Sequence, residues 1–306
     1  MNIHLENITL QSTSGPNHFA SKLIKYMQKS GVTFNGKEDP NAILCFIESS
    51  RRTFNNTPFI QRLDNIYFNV DQNYNLQNAN IKRIYDNANG IIFQSNYSKN
   101  LITRWFGTHS KSAVIHNGAD IEYIESITPA EHTKLDKYEK IWCCASSWRP
   151  HKRLNENIRY FLEHSGEKDC LVVAGSGYDK IYKHERIFYV GNLNIEQLIS
   201  LYKRANSFIH LAYLDCCPNV VVDARASGCE IICASSGGSN EVAGIAATVI
   251  QEKEWDYKPL KLYEPPKLDF NKKVKSNYEI DYNMVSVAKK YKLFIEGLIS
   301  EKNKTV

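Results

Sequence analysis

The feature that most limits what this chain can fold into is a recurrence. Short apolar runs alternate with helix-length stretches, and the pattern breaks off and restarts. Strand-length runs fall at Ala42–Ile47, Phe59–Leu63, Gly90–Phe93, Ser112–Ile115, Lys140–Ala145, Cys170–Ala174, Ile187–Val190, Ser207–Leu211 and Glu230–Ala234. Helix-length stretches lie between them at Phe19–Lys29, Ile81–Asn87, Ser98–Trp105, Leu154–His164, Ile195–Arg204 and Val220–Ser227. Several runs are almost wholly apolar, as strands covered on both faces are. Alternation of this kind builds parallel α/β layers. One block closes near VIHNGAD (Val114–Asp120), a polar, helix-poor stretch follows at Ile121–Tyr138, and a new strand opens at Lys140. With 306 residues to place, the expected architecture is two doubly wound domains, residues 1–125 and 126–282, with a linker near residues 119–138. Lys253–Asp281 reads as irregular surface chain, and an amphipathic helix over 283–300 closes the sequence.

Composition narrows the partners. At 42% apolar and 23% charged residues, the chain reads as a soluble globular protein. Its formal charge of +5 suits an anionic ligand. The charge is too small to argue for nucleic acid, and no aromatic–basic ladder accompanies it, so no nucleic-acid partner is expected. No apolar run approaches the roughly 20 residues of a membrane span, and the N-terminus lacks a basic segment followed by an apolar core. The expected location is the cytoplasm. Peripheral membrane contact is compatible with the charge, although no contiguous basic amphipathic helix stands out. The eight cysteines form no CxxC pair and several lie inside apolar runs. They read as buried free thiols in a reducing compartment.

Four stretches carry candidate chemistry. In CCASSWRPHKRL (Cys143–Leu154), Arg149, Lys152 and Arg153 crowd the carboxyl end of a strand just before a helix. Open α/β sheets bind ligands at that edge, and cations there suit a diphosphate; a solvated basic turn is the plain alternative. STSGPNHFASKL (Ser12–Leu23) sets Gly15 and Pro16 before an amphipathic helix, with His18 in its first turn. That is either a phosphate- or sugar-facing helix start or a simple turn and cap. FIQRLDNIYFN (Phe59–Asn69) ends a strand with Arg62 and Asp64, either acceptor-side groups or a charge pair at a turn. In AYLDCCPNVVVDARASG, Asp215 precedes a helix that Pro218 would open at its first position, and Asp223 lies inside it. Carboxylates take hydrogen bonds from hydroxyls and helix-start amides give them to phosphate, so this stretch suits a polyhydroxylated, phosphorylated ligand; a solvated loop aspartate at 215 and an exposed helix aspartate at 223 are the plain alternative. VVAGSGYDK (Val172–Lys180) lacks the third glycine of a dinucleotide fingerprint, and no P-loop is present. Neither HExxH nor an Asp-x-Asp pair occurs, so no metal site is expected.

Taken in order, IFQSNYSK, VIHNGAD, SSWRPHKRL and the run from FYVGNLN to CASSGG resemble glycosyltransferase family 4, the retaining transferases of the GT-B fold. The likeness extends over nearly all of the chain. It implies two Rossmann-like domains facing across a cleft, with the nucleotide sugar mainly on the C-terminal domain, the acceptor mainly on the N-terminal one, and the last helix returning to the first domain. The implied reaction moves a hexose-type sugar from a UDP- or GDP-sugar to a glycan, lipid-linked or other hydroxyl acceptor, with no cofactor or metal required. Arg149 and Lys152 would neutralise the leaving diphosphate and Asp215 would meet the donor sugar. Asp223 would hold the ribose, Gly191 and Asn192 would lie near the base, and Cys217, Pro218, Asn219 and Gly15 would line the donor. Arg62, Asp64 and His18 are the acceptor-side candidates.

Three departures qualify the likeness. Both members of the E-x7-E pair are aspartates, each about 1.5 Å shorter in reach. The Arg and Lys of the phosphate motif lie three apart, closer than the commoner spacing. The N-terminal domain carries Arg62 and Asp64 where the family has a histidine. The alternatives are a non-catalytic nucleotide-sugar or carbohydrate binder and an epimerase or phosphorylase of the same fold.

Overall fold

A computed structural model describes residues 1–304 except 13, 35, 37, 38, 55 and 56, so Thr13 of the Ser12–Leu23 motif lies outside the described residues. The chain divides into two compact units: Met1–Gly118 with Tyr257–Leu260 and Asp281–Val306, and Ala119–Asp256 with Lys261–Ile280.

The first unit holds a parallel five-stranded sheet, β1 (Ile3–Glu6), β2 (Ala42–Phe46), β3 (Phe59–Leu63), β4 (Gly90–Phe93) and β5 (Ser112–Val114), in that spatial order. Helices α1 (Gly15–Lys29), α2 (Tyr74–Asn87) and α3 (Asn96–Phe106) follow β1, β3 and β4. After α1 the chain returns beside β1 at Thr33, which exchanges hydrogen bonds with Met1 and Ile3, while Asn2 accepts from Asn41 next to β2. Alternate residues of a strand bond to opposite neighbours. Thr33 therefore lies on the outer side of β1, and the direction of winding reverses between β1 and β2. β1 had no counterpart in the sequence reading, because its alternation Ile–His–Leu–Glu covers only four residues.

The second unit opens with α4 (Ile121–Ser126), N-capped by Asp120, whose carboxylate accepts from the Tyr123 amide. This segment was expected to be linker. Its sheet comprises β6 (Lys140–Ser147), β7 (Asp169–Ser176), β8 (Ile187–Gly191), β9 (Ser207–His210), β10 (Glu230–Ala234), β11 (Thr248–Ile250) and β12 (Lys273–Lys275). The order is β12-β11-β10-β9-β6-β7-β8, and every pairing is parallel except β11 with β12. Helices α5 (Leu154–His164), α6 (Ile195–Arg204), α7 (Asn219–Ala226) and α8 (Ser239–Ala243) connect the strands. The winding reverses between β6 and β9, and a sheet of this kind takes its ligand outside the carboxyl ends at that point. Gly175 in the GSG run serves strand packing: a Cβ there would lie 1.9 Å from the Ser146 carbonyl oxygen on β6. All eight cysteines are buried, and none forms a disulfide among the described residues. No helix of the described residues is long and apolar enough to cross a membrane.

The last helix, α9 (Met284–Lys304), belongs to the first unit. Met284, Val287, Ala288, Tyr291, Ile295 and Leu298 recur at three- and four-residue spacing and bury one stripe. The stripe packs with Phe19, Leu23 and Met27 of α1 on the sheet face of Leu44, Ile60 and Ile92. Arg62 enters the same core and is 0% exposed. Its guanidinium pairs with Asp64, donates from Nε to the Tyr291 hydroxyl (3.0 Å) and from Nη2 to Asn117 (2.8 Å) and Gln94 (3.3 Å), and lies over the Phe19 ring. Arg62 therefore does not face solvent as an acceptor-side group. It positions Asp64 and anchors Asn117 of the HNGAD motif. Arg62→Ala is expected to cost about 3–5 kcal/mol of stability, the cost of removing one partner of a buried ion pair, with no rescue by Arg62→Lys, which cannot reproduce the fork. Guanidinium unfolding curves of the two variants check this.

Candidate functional site

The site grows from the carboxyl ends of β6 and β9, the strands flanking the reversal in the second unit. After β6, Pro150 fixes the first residue of a 3₁₀ turn, Pro150–Lys152. Arg153 then adopts a left-handed conformation (φ 53°) that redirects the chain into α5. The three cations of the motif have different destinations. Arg153 is buried and donates to Glu252 (2.6 Å) and the Pro266 carbonyl (2.7 Å), so it belongs to the scaffold. Lys152 Nζ lies 2.5 Å from Asp215 Oδ2. Arg149 lines a groove of about 740 Å³ with Trp148, Asn155, Tyr178, Lys180 and Pro266. Neither Lys152 nor Asp215 lines that groove.

Asp215 is held by its backbone as firmly as by its side chain. Leu214 has φ 55°, a region that bulky residues leave unless the surroundings impose it. The Asp215 carbonyl accepts from the Gly238 amide at 2.6 Å. Gly237 (φ 83°) packs so closely that a Cβ would lie 2.3 Å from the same carbonyl oxygen. The preceding Tyr213 amide donates to the His151 carbonyl at 2.7 Å, which ties this loop to the 3₁₀ turn.

Asp215 Oδ2 receives a second partner that sequence reasoning missed. His210, at the end of β9, lies with Nε2 3.0 Å from it. Burial alone would raise the Asp215 carboxyl, but the Lys152 charge and the His210 hydrogen bond outweigh it and hold the group well below the usual carboxylate range. Burial lowers His210 from its ordinary value, against the pull of Asp215. His151 is pushed down to about 4, by burial first and then by the Lys152 charge. The only sequence signal for His210 is a titratable residue closing an otherwise apolar strand.

The remaining donor-site candidates divide by position. Pro218 is the N-cap of α7, not its first residue, and supplies no side-chain cap; Asn219 opens the helix. Cys217 is 4% and Asp223 5% exposed, Asp223 lying within α7. Gly191 ends β8 and Asn192 follows it, exposed. Gly15 and His18 stand in the first turn of α1 in the first unit, and Asp64 follows β3 there with a partly buried carboxylate. Among the described residues no group of three or more His, Cys, Asp or Glu is arranged to hold a metal.

No family model matches the chain. An uncharacterized glycosyltransferase of Methanocaldococcus jannaschii is 24% identical over 239 residues, which cover 72% of this chain and 61% of that protein. Thus the chain spans about three fifths of the length of this curated relative. Among solved structures, sucrose-phosphate synthase from Thermosynechococcus elongatus aligns with a TM-score of 0.70 at 13% identity over 98% of this chain and 99% of that one. Anabaena HepE in complex with UDP-glucose aligns at 0.62 with 12% identity over the whole of both chains. The trehalose-6-phosphate synthase OtsA aligns at 0.63 with 9% identity over 100% and 99%. At these identities the likeness establishes architecture: two Rossmann-like units of the GT-B fold.

The two depressed histidines set a stability window. The native state binds fewer protons than the unfolded chain, so their contribution is complete above about pH 6.5 and is lost as pH falls toward about 4, the His151 value. Asp215 acts lower: its contribution is present above 3.8 and is lost below it. Thermal unfolding followed from about pH 7 to about pH 4.5 should show a falling midpoint, with a shallower fall in His151→Gln; an unchanged slope in that variant would refute the assignment.

Proposed function

We propose that this chain is a retaining glycosyltransferase of the family 4 type. It moves a hexose-type sugar from a UDP- or GDP-sugar to a hydroxyl acceptor on a glycan or lipid-linked chain, without an obligatory metal. The observation that carries this reading is the Lys152–Asp215 pair at the winding reversal of the second unit, in a motif that also presents Arg149. Among its fold relatives, one is named a sucrose-phosphate synthase and another, HepE, is in complex with UDP-glucose. Departure of a nucleoside diphosphate builds negative charge on its phosphate oxygens. Preorganised cations at that point stabilise the transition state more than the ground state. In this reading Lys152 and Arg149 meet the diphosphate and Asp215 accepts a hydrogen bond from the donor sugar. Asp223 holds the ribose, Gly191 and Asn192 lie by the base, and the backbone of Cys217, Pro218 and Asn219 lines the donor. Asp64 and His18 serve the acceptor, with Arg62 acting through Asp64.

Thermal-shift titration with UDP-glucose, GDP-mannose and ADP-glucose is expected to raise the unfolding midpoint with one nucleotide class, because a ligand that binds only the native state stabilises it. No shift with any of the three in folded protein would defeat the reading. Lys152→Ala and Arg149→Ala should each lower kcat/KM for the donor at least about tenfold, or about 1.4 kcal/mol. Near-wild-type rates in both would remove the phosphate role. Shifts with a donor but neither transfer nor hydrolysis would leave a nucleotide-sugar binder.

A further inference from the structure

Asp215 reaches the site with its two oxygens in unequal states. Oδ2 is held by Lys152 Nζ at 2.5 Å and His210 Nε2 at 3.0 Å. Oδ1 makes no hydrogen bond among the described residues, and the side chain keeps 15% of its surface exposed. His210 is fixed by its own strand. Phe208 and His210 lie two apart on β9, so their rings share a face, and they stack at 6.3 Å with an interplanar angle of 11°. The His210 side chain is 4% exposed.

The charges around it decide its protonation. Lys152 already supplies one positive charge to the carboxylate and opposes a charge on His210, and His151 and Arg149 stand beside Lys152. A second full charge on a buried ring beside Lys152 is unfavourable. A neutral imidazole meets the remaining need, since its N–H donates a hydrogen bond without adding charge.

We propose that His210 is a positioning residue for the donor-sugar carboxylate: as a neutral, Nε2-protonated imidazole it donates to Asp215 Oδ2 and fixes the rotamer that leaves Oδ1 open to a donor hydroxyl. The proposal rests on the glycosyltransferase reading for the identity of the ligand, but not for the state of the imidazole. When the donor's diphosphate draws Lys152 away from Asp215, His210 is the contact that keeps the carboxylate in place. A shortened acid gains most from such a contact, because an aspartate that rotates away has no spare reach. Its substrate class is the nucleotide sugar of the same site; its function is to keep one oxygen on a sugar hydroxyl while the cation moves to phosphate.

Two experiments test this, and they fail independently. In ligand-free protein, imidazole ¹H–¹⁵N spectra should show His210 as the Nε2–H tautomer, unchanged from about pH 8 to about pH 6.5, the ordinary histidine midpoint. Asp215→Asn should disturb that signal. A His210 that is charged in this range or protonated on Nδ1 alone overturns the proposal, whatever the protein does with sugars. In the second experiment, His210→Gln keeps an N–H near the Nε2 position, and His210→Phe keeps the ring and its stacking without the donor. With the donor that stabilises the wild type, His210→Gln should stay within about threefold of wild-type kcat and His210→Phe should lose at least about tenfold in kcat, or about 1.4 kcal/mol, while its KM stays within about threefold. Equal activity of the Phe variant and the wild type overturns the proposal. So does equal loss in both variants when both keep the wild-type unfolding midpoint. If His210→Phe fails to fold, His210→Leu and the spectra decide the matter. A wild-type chain that binds no nucleotide sugar defeats the glycosyltransferase reading and leaves the spectra to judge His210.

Discussion

One carboxylate oxygen organises the second unit's site. Removing a carboxylate from water costs several kcal/mol unless charge and hydrogen bonds replace the lost hydration. At Asp215 Oδ2 the replacement comes from two elements, Lys152 from the turn after β6 and His210 from the end of β9. These strands are neighbours only because the winding reverses between them. The cluster also explains the local backbone: Leu214 tolerates a left-handed conformation because the Gly238 amide, the close-packed Gly237 and the His151 carbonyl over-determine the loop around it.

The first unit uses a buried cation differently. Arg62 spends its guanidinium on Asp64, Tyr291, Asn117 and Gln94 and lies between aromatic rings. This network holds β3, β4, α9 and the chain beyond β5 together. Around Asp215 one oxygen remains open. A satisfied buried network rigidifies a core, whereas a carboxylate held through one oxygen keeps the acceptor capacity of the other.

The basic motif shows why residue type alone does not assign a role. Arg149, Lys152 and Arg153 lie within five positions, yet one lines a groove, one pairs with Asp215 and one is a buried strut to Glu252 and Pro266. A 3₁₀ turn and a left-handed residue send successive side chains in different directions, and sequence spacing does not reveal where each lands. Likewise, the GSG run looks like a ligand loop in sequence, but at Gly175 the absence of a side chain is used up by the approach of β6.

By itself the sequence determined the α/β class, the two-fold repetition of the strand–helix pattern, the positions of most strands and helices and the buried state of the cysteines, because burial on both faces writes apolar runs directly into the chain. It also marked Asp215 and Lys152 as residues of interest, through a turn and a helix start that local chemistry makes recognisable. It left β1, β11 and β12 unread, because strands of three or four residues carry little periodic signal, and it took α4 for linker. Only the tertiary structure decided that Arg62 faces inward, that Arg153 is scaffold, and that His210 shares an oxygen with Lys152. Those outcomes depend on which strand ends become neighbours and which way a turn aims its side chains, and both are set by long-range packing rather than by any local run of residues.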